Sequence, residues 1–370
     1  MKITLTKEDS KKVKTLSETK DRNIEVADMY LYFLSNAARS IHKEAIEDVM
    51  LAYACNESTA YYRLMMDTLG IDLNNKKYQS IGTDYCLKGI RELEPKKYRD
   101  NLYYKNIHTA TIKSKNWEIG YQPYLPYEGF VYDDVTVEDG HHFLEISHLG
   151  FFEETFSYLA VSEGDVIWMS VTPNEIETMQ PVIDHIKGKV VTFGLGLGYF
   201  AYMASIKDDV ESVTIIEKNK DIIALFNKHI LPQFSHKEKI KIVNADAFEY
   251  AAKEMPKHHF DEAFVDLWHG AEDGVTLYLQ MKKLEHLNPG TKFSYWLEKS
   301  LIAMLRRCVL VLLEEQLDGS TDADYQKAET DIDKMINQLY FYLKEYSIAT
   351  YEAVIALLKD DVLTEIASKI

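Results

Sequence analysis

The stretch Val190-Val191-Thr192-Phe193-Gly194-Leu195-Gly196-Leu197-Gly198-Tyr199 decides the reading of this chain. Four residues suited to a buried parallel strand run straight into glycines spaced G-x-G-x-G, and a helical pattern over 199–206 follows at once. Glycine lets the backbone turn sharply and lets a ligand approach closely at a helix N-terminus. Alone, the same pattern also describes a tight strand–helix turn that binds nothing.

The neighbouring sequence narrows that choice. Ser212-Val213-Thr214-Ile215-Ile216 reads as a second strand and ends in Glu217, an acid about twenty positions past the glycine turn, where a ribose diol would be held. A helical segment over 221–230 leads to a third strand over 239–243 and then to Asn244-Ala245-Asp246-Ala247-Phe248-Glu249. After another helix, residues 260–265 form a fourth strand ending at Asp266, and residues 292–296 form a fifth after the turn Asn288-Pro289-Gly290. Strands alternating with helices predict an α/β fold with a mostly parallel sheet. Glu217, Asp246 and Asp266 then fall at or just past the C-terminal ends of three strands, the edge at which open α/β sheets bind ligands.

With these residues in view, the stretch from about 188 to 296 resembles a class I S-adenosylmethionine-dependent methyltransferase core with a Rossmann-like sheet. It is most similar in style to the spermidine synthase branch, through GLGLG, VTIIEKNKDII, NADAFEY and FVDLW. The resemblance implies S-adenosyl-L-methionine as cofactor. Gly194, Gly196 and Gly198 would line its methionine part, Glu217 its ribose hydroxyls, and Asp246 with Ala247 its adenine, while Asp266 would face the reacting centre. Two departures stand out. Thr192 occupies the place, two before the first glycine, where methyltransferases commonly have an acid. In Asp266-Leu267-Trp268-His269-Gly270, His269 stands where aminopropyltransferases have a second aspartate. A neutral imidazole also accepts a proton near neutral pH, so His269 is a candidate base beside Asp266. Trp268 is a candidate to stack on a substrate or to pack as core.

The reading that follows is a transferase acting on a small-molecule or protein acceptor, most simply by methyl transfer. Aminopropyl transfer is the second reading, and a non-catalytic nucleoside-binding module the third. A formal net charge of -17 disfavours a nucleic-acid partner, because a phosphate backbone would be repelled. Cys55, Cys86 and Cys308 are far apart and form no C-x-x-C pair, so neither a structural zinc nor a disulfide framework is expected. His141, His142 and His148 could suggest a metal, but adjacent residues on a strand point to opposite faces, and no metal is assigned. The first residues lack an apolar signal region, and the most apolar later segment, 297–313, is interrupted by four charges. A cytoplasmic protein without a membrane span is the expectation.

Four regions are expected. Residues 1–100 read as helical, with helices over 27–55 and 58–69 and a stop at Gly70. Residues 101–187 read as a small, mostly antiparallel β region and a connecting helix, opened at Thr172-Pro173-Asn174-Glu175 by a capping box. Tyr121, Tyr124, Tyr127 and Tyr132 either line a pocket or pack across that small sheet. Residues 188–296 form the cofactor domain. Residues 297–370 form a helical extension over 297–316, 324–346 and 351–370, and the terminal helices would build a lid, a substrate pocket or a homodimer interface.

Overall fold

A computed structural model describes residues 2–164 and 166–370. Its centre is a five-stranded sheet of Gly188–Phe193, Val210–Glu217, Ile240–Asn244, Glu262–Val265 and Lys292–Tyr295, with every pairing parallel. The spatial order is third, second, first, fourth, fifth. Val190, Val191, Phe193, Val213, Ile215, Phe264 and Val265 are all buried, as a parallel sheet covered on both faces requires. Helices Tyr199–Ser205, Lys220–His229 and Ala271–Leu284 lie in the crossovers. Asn219 caps the second of these by accepting the N–H groups of Asp221 and Ile222.

This order places the site. The chain winds in one direction from the first strand to the third, then returns past the first to lay down the fourth. The connections after the first and fourth strands therefore leave in opposite directions, and a crevice opens beyond Phe193 and Val265.

The β region ahead of this sheet forms two small sheets. One is antiparallel, in the order Ile112–Ser114, Trp117–Tyr124, Phe156–Glu163, Val166–Ser170. The other pairs Leu144–Phe151 with Phe130–Glu138 and, in parallel, with the short Arg91–Glu92. The helix Pro173–His185 follows, as its capping sequence predicts.

The terminal regions depart from the expected limits. The helix read over 27–55 is two helices, Lys7–Asn36 and Lys43–Tyr53. The break is tertiary in origin: the Ala38 carbonyl accepts the Gly129 N–H at 2.9 Å, and Ile41 turns into the core. The helix read over 324–346 begins only at Asp331, because Thr330 caps it through the Asp333 N–H. The segment 351–370 is likewise two helices, Tyr351–Leu357 and Asp360–Ala367. Buried Arg306 holds that break, with Nε donating to the Leu358 carbonyl at 2.8 Å and the guanidinium paired to Asp360. Lys2–Ile3 pairs in parallel with Ser347–Ile348, and Lys20, buried, donates to both oxygens of Glu314 at 2.9 and 2.7 Å. The two chain ends thus pack on each other. Among the described residues no helix is long and apolar enough to cross a membrane.

Candidate functional site

A cavity of about 740 Å³ occupies the crevice, a volume suited to a ligand of nucleoside size. The glycine turn forms its floor, and its glycines have different reasons to be glycine. Gly194 lies at φ +103°, and a Cβ there would stand 2.0 Å from the Asp266 carbonyl oxygen, so the ends of the first and fourth strands meet only without a side chain. Gly196, at φ +52°, has nothing within 4 Å and faces the open cavity. Gly198 does not line the cavity: a Cβ there would meet Phe226 at 2.4 Å, so this glycine serves helix packing.

Glu217 sits beside the turn at the end of the second strand. One carboxylate oxygen accepts the Leu195 N–H at 3.3 Å and the other the Asn219 N–H at 2.7 Å. The acid is fixed in orientation while keeping unused lone pairs toward the cavity. Asp246 caps the short helix Ala247–Glu249, with Oδ1 accepting the Phe248 and Glu249 N–H groups at 3.0 Å each. Both Asp246 and Ala247 line the cavity. Asn244 does not line it; its amide donates to the Glu217 and Lys218 carbonyls at 2.9 Å and ties the second and third strands together.

Asp266 ends the fourth strand, held by its N–H to the Phe193 carbonyl at 2.9 Å. Among the described residues nothing hydrogen-bonds its carboxylate, and the surface it keeps faces the cavity. Burial raises its carboxyl to about 7. Glu175 enters from the first turn of Pro173–His185. Its Oε2 accepts the Thr172 N–H at 3.0 Å, and Oε1 lies 3.5 Å from the Ser170 hydroxyl. Burial is the main cause that lifts Glu175 to about 8, and the Asp266 charge adds to it. Two acids from different elements, one a helix-capping residue, therefore meet in one cavity.

His269 lies at the rim and is well exposed. Its Nδ1 is 3.1 Å from Asp273, whose carboxylate also accepts the His269 and Gly270 N–H groups at the start of the helix Ala271–Leu284. Trp168 packs edge-on against it, ring centres 5.3 Å apart. Trp268 combines the roles read for it. Its indole is buried, with Nε1 donating to the Trp296 carbonyl at 3.2 Å and Gly274 closing against the ring, yet it lines the cavity. It is a fixed wall.

The other candidates disperse. Tyr124 is stacked on Phe130 at 4.2 Å, Tyr127 packs on Phe151, and Tyr132 meets His148; none lines the cavity, nor does the half-exposed Tyr121. His141 and His142 are not strand neighbours. They lie in and just after a turn over 139–141, with His142 reaching Tyr351 while His148 reaches Tyr132 and Thr136.

Other residues brace the glycine turn from outside or wall the cavity mouth. Tyr103, in the short helix Leu102–Asn106, donates its hydroxyl to the Leu197 carbonyl at 2.7 Å, and Asn101 donates to the Tyr199 hydroxyl at 3.0 Å. Trp117 and Trp168 wall the mouth with ring centres 6.1 Å apart. A register shift lies between the pairs Val161–Met169 and Ser162–Ile167, leaving Trp168 as the extra residue of a bulge, a device that re-aims a side chain beside a site.

The chain matches no protein-family model, and no curated protein matches it. The reading of this site therefore rests on its chemistry. Glu163, Glu175, Glu217, Asp246 and Asp266 line the cavity, against Lys218 and the rim His269. Such a lining favours a ligand that brings positive charge, hydroxyls for a fixed carboxylate, and flat or apolar surface for the tryptophan walls.

Proposed function

We propose that the cavity binds an S-adenosyl sulfonium nucleoside and that the protein is a transferase, with methyl transfer from S-adenosyl-L-methionine as the leading reading. The observation that carries it is the crevice between the first and fourth strands. There the Gly194–Gly196 turn, Glu217 and Asp266 converge around a cavity of nucleoside size. On this reading the five-stranded sheet is a Rossmann-like methyltransferase core, and its strand order and helical crossovers support that view.

Glu217 would take the ribose hydroxyls, since its carboxylate is already oriented by two backbone N–H groups. Asp246 and Ala247 would flank the base, and Gly196 would admit the ligand against bare backbone. When bound, the nucleoside supplies an electrophilic carbon on sulfur. The residues need only align an acceptor and accept its proton. Asp266 is placed for that by its unpartnered carboxylate and raised basicity. His269, exposed and tethered to Asp273, would contribute at the mouth. The acceptor is a small molecule or a protein side chain narrow enough to pass Trp117 and Trp168.

A second reading is aminopropyl transfer from decarboxylated S-adenosylmethionine. It is favoured by one observation: among the described residues no lysine or arginine lines the cavity at the Asp266 end to receive a carboxylate. Calorimetry with S-adenosylmethionine, S-adenosylhomocysteine and decarboxylated S-adenosylmethionine ranks the readings. Tightest binding of the decarboxylated form would replace methyl transfer with aminopropyl transfer. No heat from any of the three at millimolar ligand would remove both.

A further inference from the structure

Glu175 and Asp266 are brought to one cavity by unrelated elements, the start of Pro173–His185 and the end of Glu262–Val265. Among the described residues no lysine or arginine pairs with either acid. Lys218 lies just past the end of the second strand at Glu217, two strand spacings from the fourth, or about 10 Å across the sheet edge. His269 is at the rim and engaged by Asp273. The cavity lining includes the apolar Trp268, Trp296, Met179 and Phe200, which give little solvation to charge. Two carboxylates in such a space do not both ionise readily while it is empty.

We propose that Glu175 and Asp266 act together as a charge-reading pair, protonated in the empty cavity and giving up a proton when a cationic nucleoside enters, so that a sulfonium is held more tightly than its neutral thioether product. This rests on the sulfonium reading above and adds what selects the ligand. The half-buried Glu175 carboxylate is suited to the task. One oxygen is anchored on the Thr172 N–H, and the other has only a long contact to the Ser170 hydroxyl. Among the described residues nothing hydrogen-bonds either oxygen of Asp266, and burial alone acts on it. The raised basicity of both acids agrees with a proton being held near neutral pH.

The groups facing the pair make the direction of the effect definite. Across the cavity stand Glu163, Glu217 and Asp246, none of which offers the pair a counter-charge. Lys218 and His269 stand at the far edge and the rim. Behind Glu175, Tyr103, Tyr104 and Tyr199 are all shifted upward by burial and remain neutral throughout the working range. A proton released on binding makes affinity rise with pH by about tenfold per pH unit for each proton, below the pKa of the free group.

The test is isothermal titration calorimetry of the full chain with S-adenosylmethionine and with S-adenosylhomocysteine, each in phosphate and in Tris so that buffer heats report proton release. The pair predicts that S-adenosylmethionine releases close to one proton and gains about tenfold in affinity per pH unit between pH 5.5 and 6.5. S-adenosylhomocysteine should release far less and bind at least about tenfold more weakly near pH 7. Glu175→Gln and Asp266→Asn should each lower the release and flatten the pH profile, which loss of packing alone would not do. If both nucleosides bind with equal proton release, or S-adenosylmethionine binds with none, the pair is overturned while the nucleoside reading stands. If neither nucleoside binds, the reading and the pair fall together.

Discussion

The Tyr103 hydroxyl donates to the Leu197 carbonyl at 2.7 Å, so the short helix Leu102–Asn106, which precedes the four-stranded small sheet, reaches the middle of the glycine turn. Both groups are buried, and Tyr103 sits edge-on to Tyr199 and Tyr202. The turn is thereby fixed from outside its own strand and helix. Tyr103→Phe keeps the ring and leaves a buried carbonyl without its partner, a loss of about 1–3 kcal/mol. The expected outcome is a folded protein with a lower midpoint in urea and weaker nucleoside binding. An unchanged midpoint in denaturant titration would mean that water or a shifted turn replaces the hydroxyl.

The glycines should separate by mutation. Gly194→Ala forces a Cβ to 2.0 Å from the Asp266 backbone, and neither strand end can move without breaking the parallel register. Loss of soluble folded protein is expected. Gly196→Ala meets open space, and its cost is the positive φ alone, about 1 kcal/mol. That variant should fold and yet bind nucleoside poorly, which far-UV circular dichroism and calorimetry together can establish.

The contrast also shows how much of the site was legible in the sequence. The five strands, the acids that end them and the capping box at Thr172 follow from local patterns: apolar runs, glycine spacing, and an acid three residues past a cap. Gly198 has the same spacing as its neighbours but faces Phe226, because which side of a turn a residue faces depends on a helix placed later in the chain. Tyr103 and Trp117 carry no local signal, and the stretch 164–172 reads as a strand near the methionine end without marking Trp168, since only the tertiary fold brings these side chains near residues far along the chain. Glu175 was legible as a cap and not as a partner of Asp266. The breaks at 37–42 and near Lys359 have the same origin. Helix-compatible sequence is interrupted by a carbonyl recruited to Gly129 and by the buried Arg306.

Glu175 and Asp266 tie stability to pH. Both folded-state values, about 8 and about 7, lie above those of the unfolded chain. Their contribution is therefore fully present below about pH 4 and is lost as pH rises through 7 to 8. Between pH 6 and 9 the empty protein should lose about 1–4 kcal/mol from this source, the range allowing for partial solvation through the cavity. Asp266→Asn or Glu175→Gln should reduce that loss, seen as a smaller fall in thermal midpoint. A variant whose midpoint tracks the parent across the range would show that its acid is charged in the empty cavity.

Lys20, on the helix Lys7–Asn36, joins the N-terminal helical region to the helix Glu298–Leu317 through both oxygens of Glu314, and the residue is buried. Lys20→Ala leaves Glu314 facing that layer without its partner. A loss of about 2–4 kcal/mol is expected, with nucleoside binding unchanged because neither residue approaches the cavity. Chemical denaturation measures the first part and calorimetry the second. A nucleoside affinity that falls with Lys20 would show that the terminal helices act on the site.

The most direct test of the account is calorimetric titration of the parent and of Glu217→Ala with S-adenosylmethionine. Glu217 holds the glycine turn through Leu195 and is the residue assigned to the ribose. The parent should bind with a single site per chain, and Glu217→Ala should remain folded while binding at least about tenfold more weakly, a difference of about 1.4 kcal/mol. Absence of binding to the parent at millimolar ligand, or equal binding by the folded variant, would contradict a sulfonium nucleoside held between the glycine turn and Asp266.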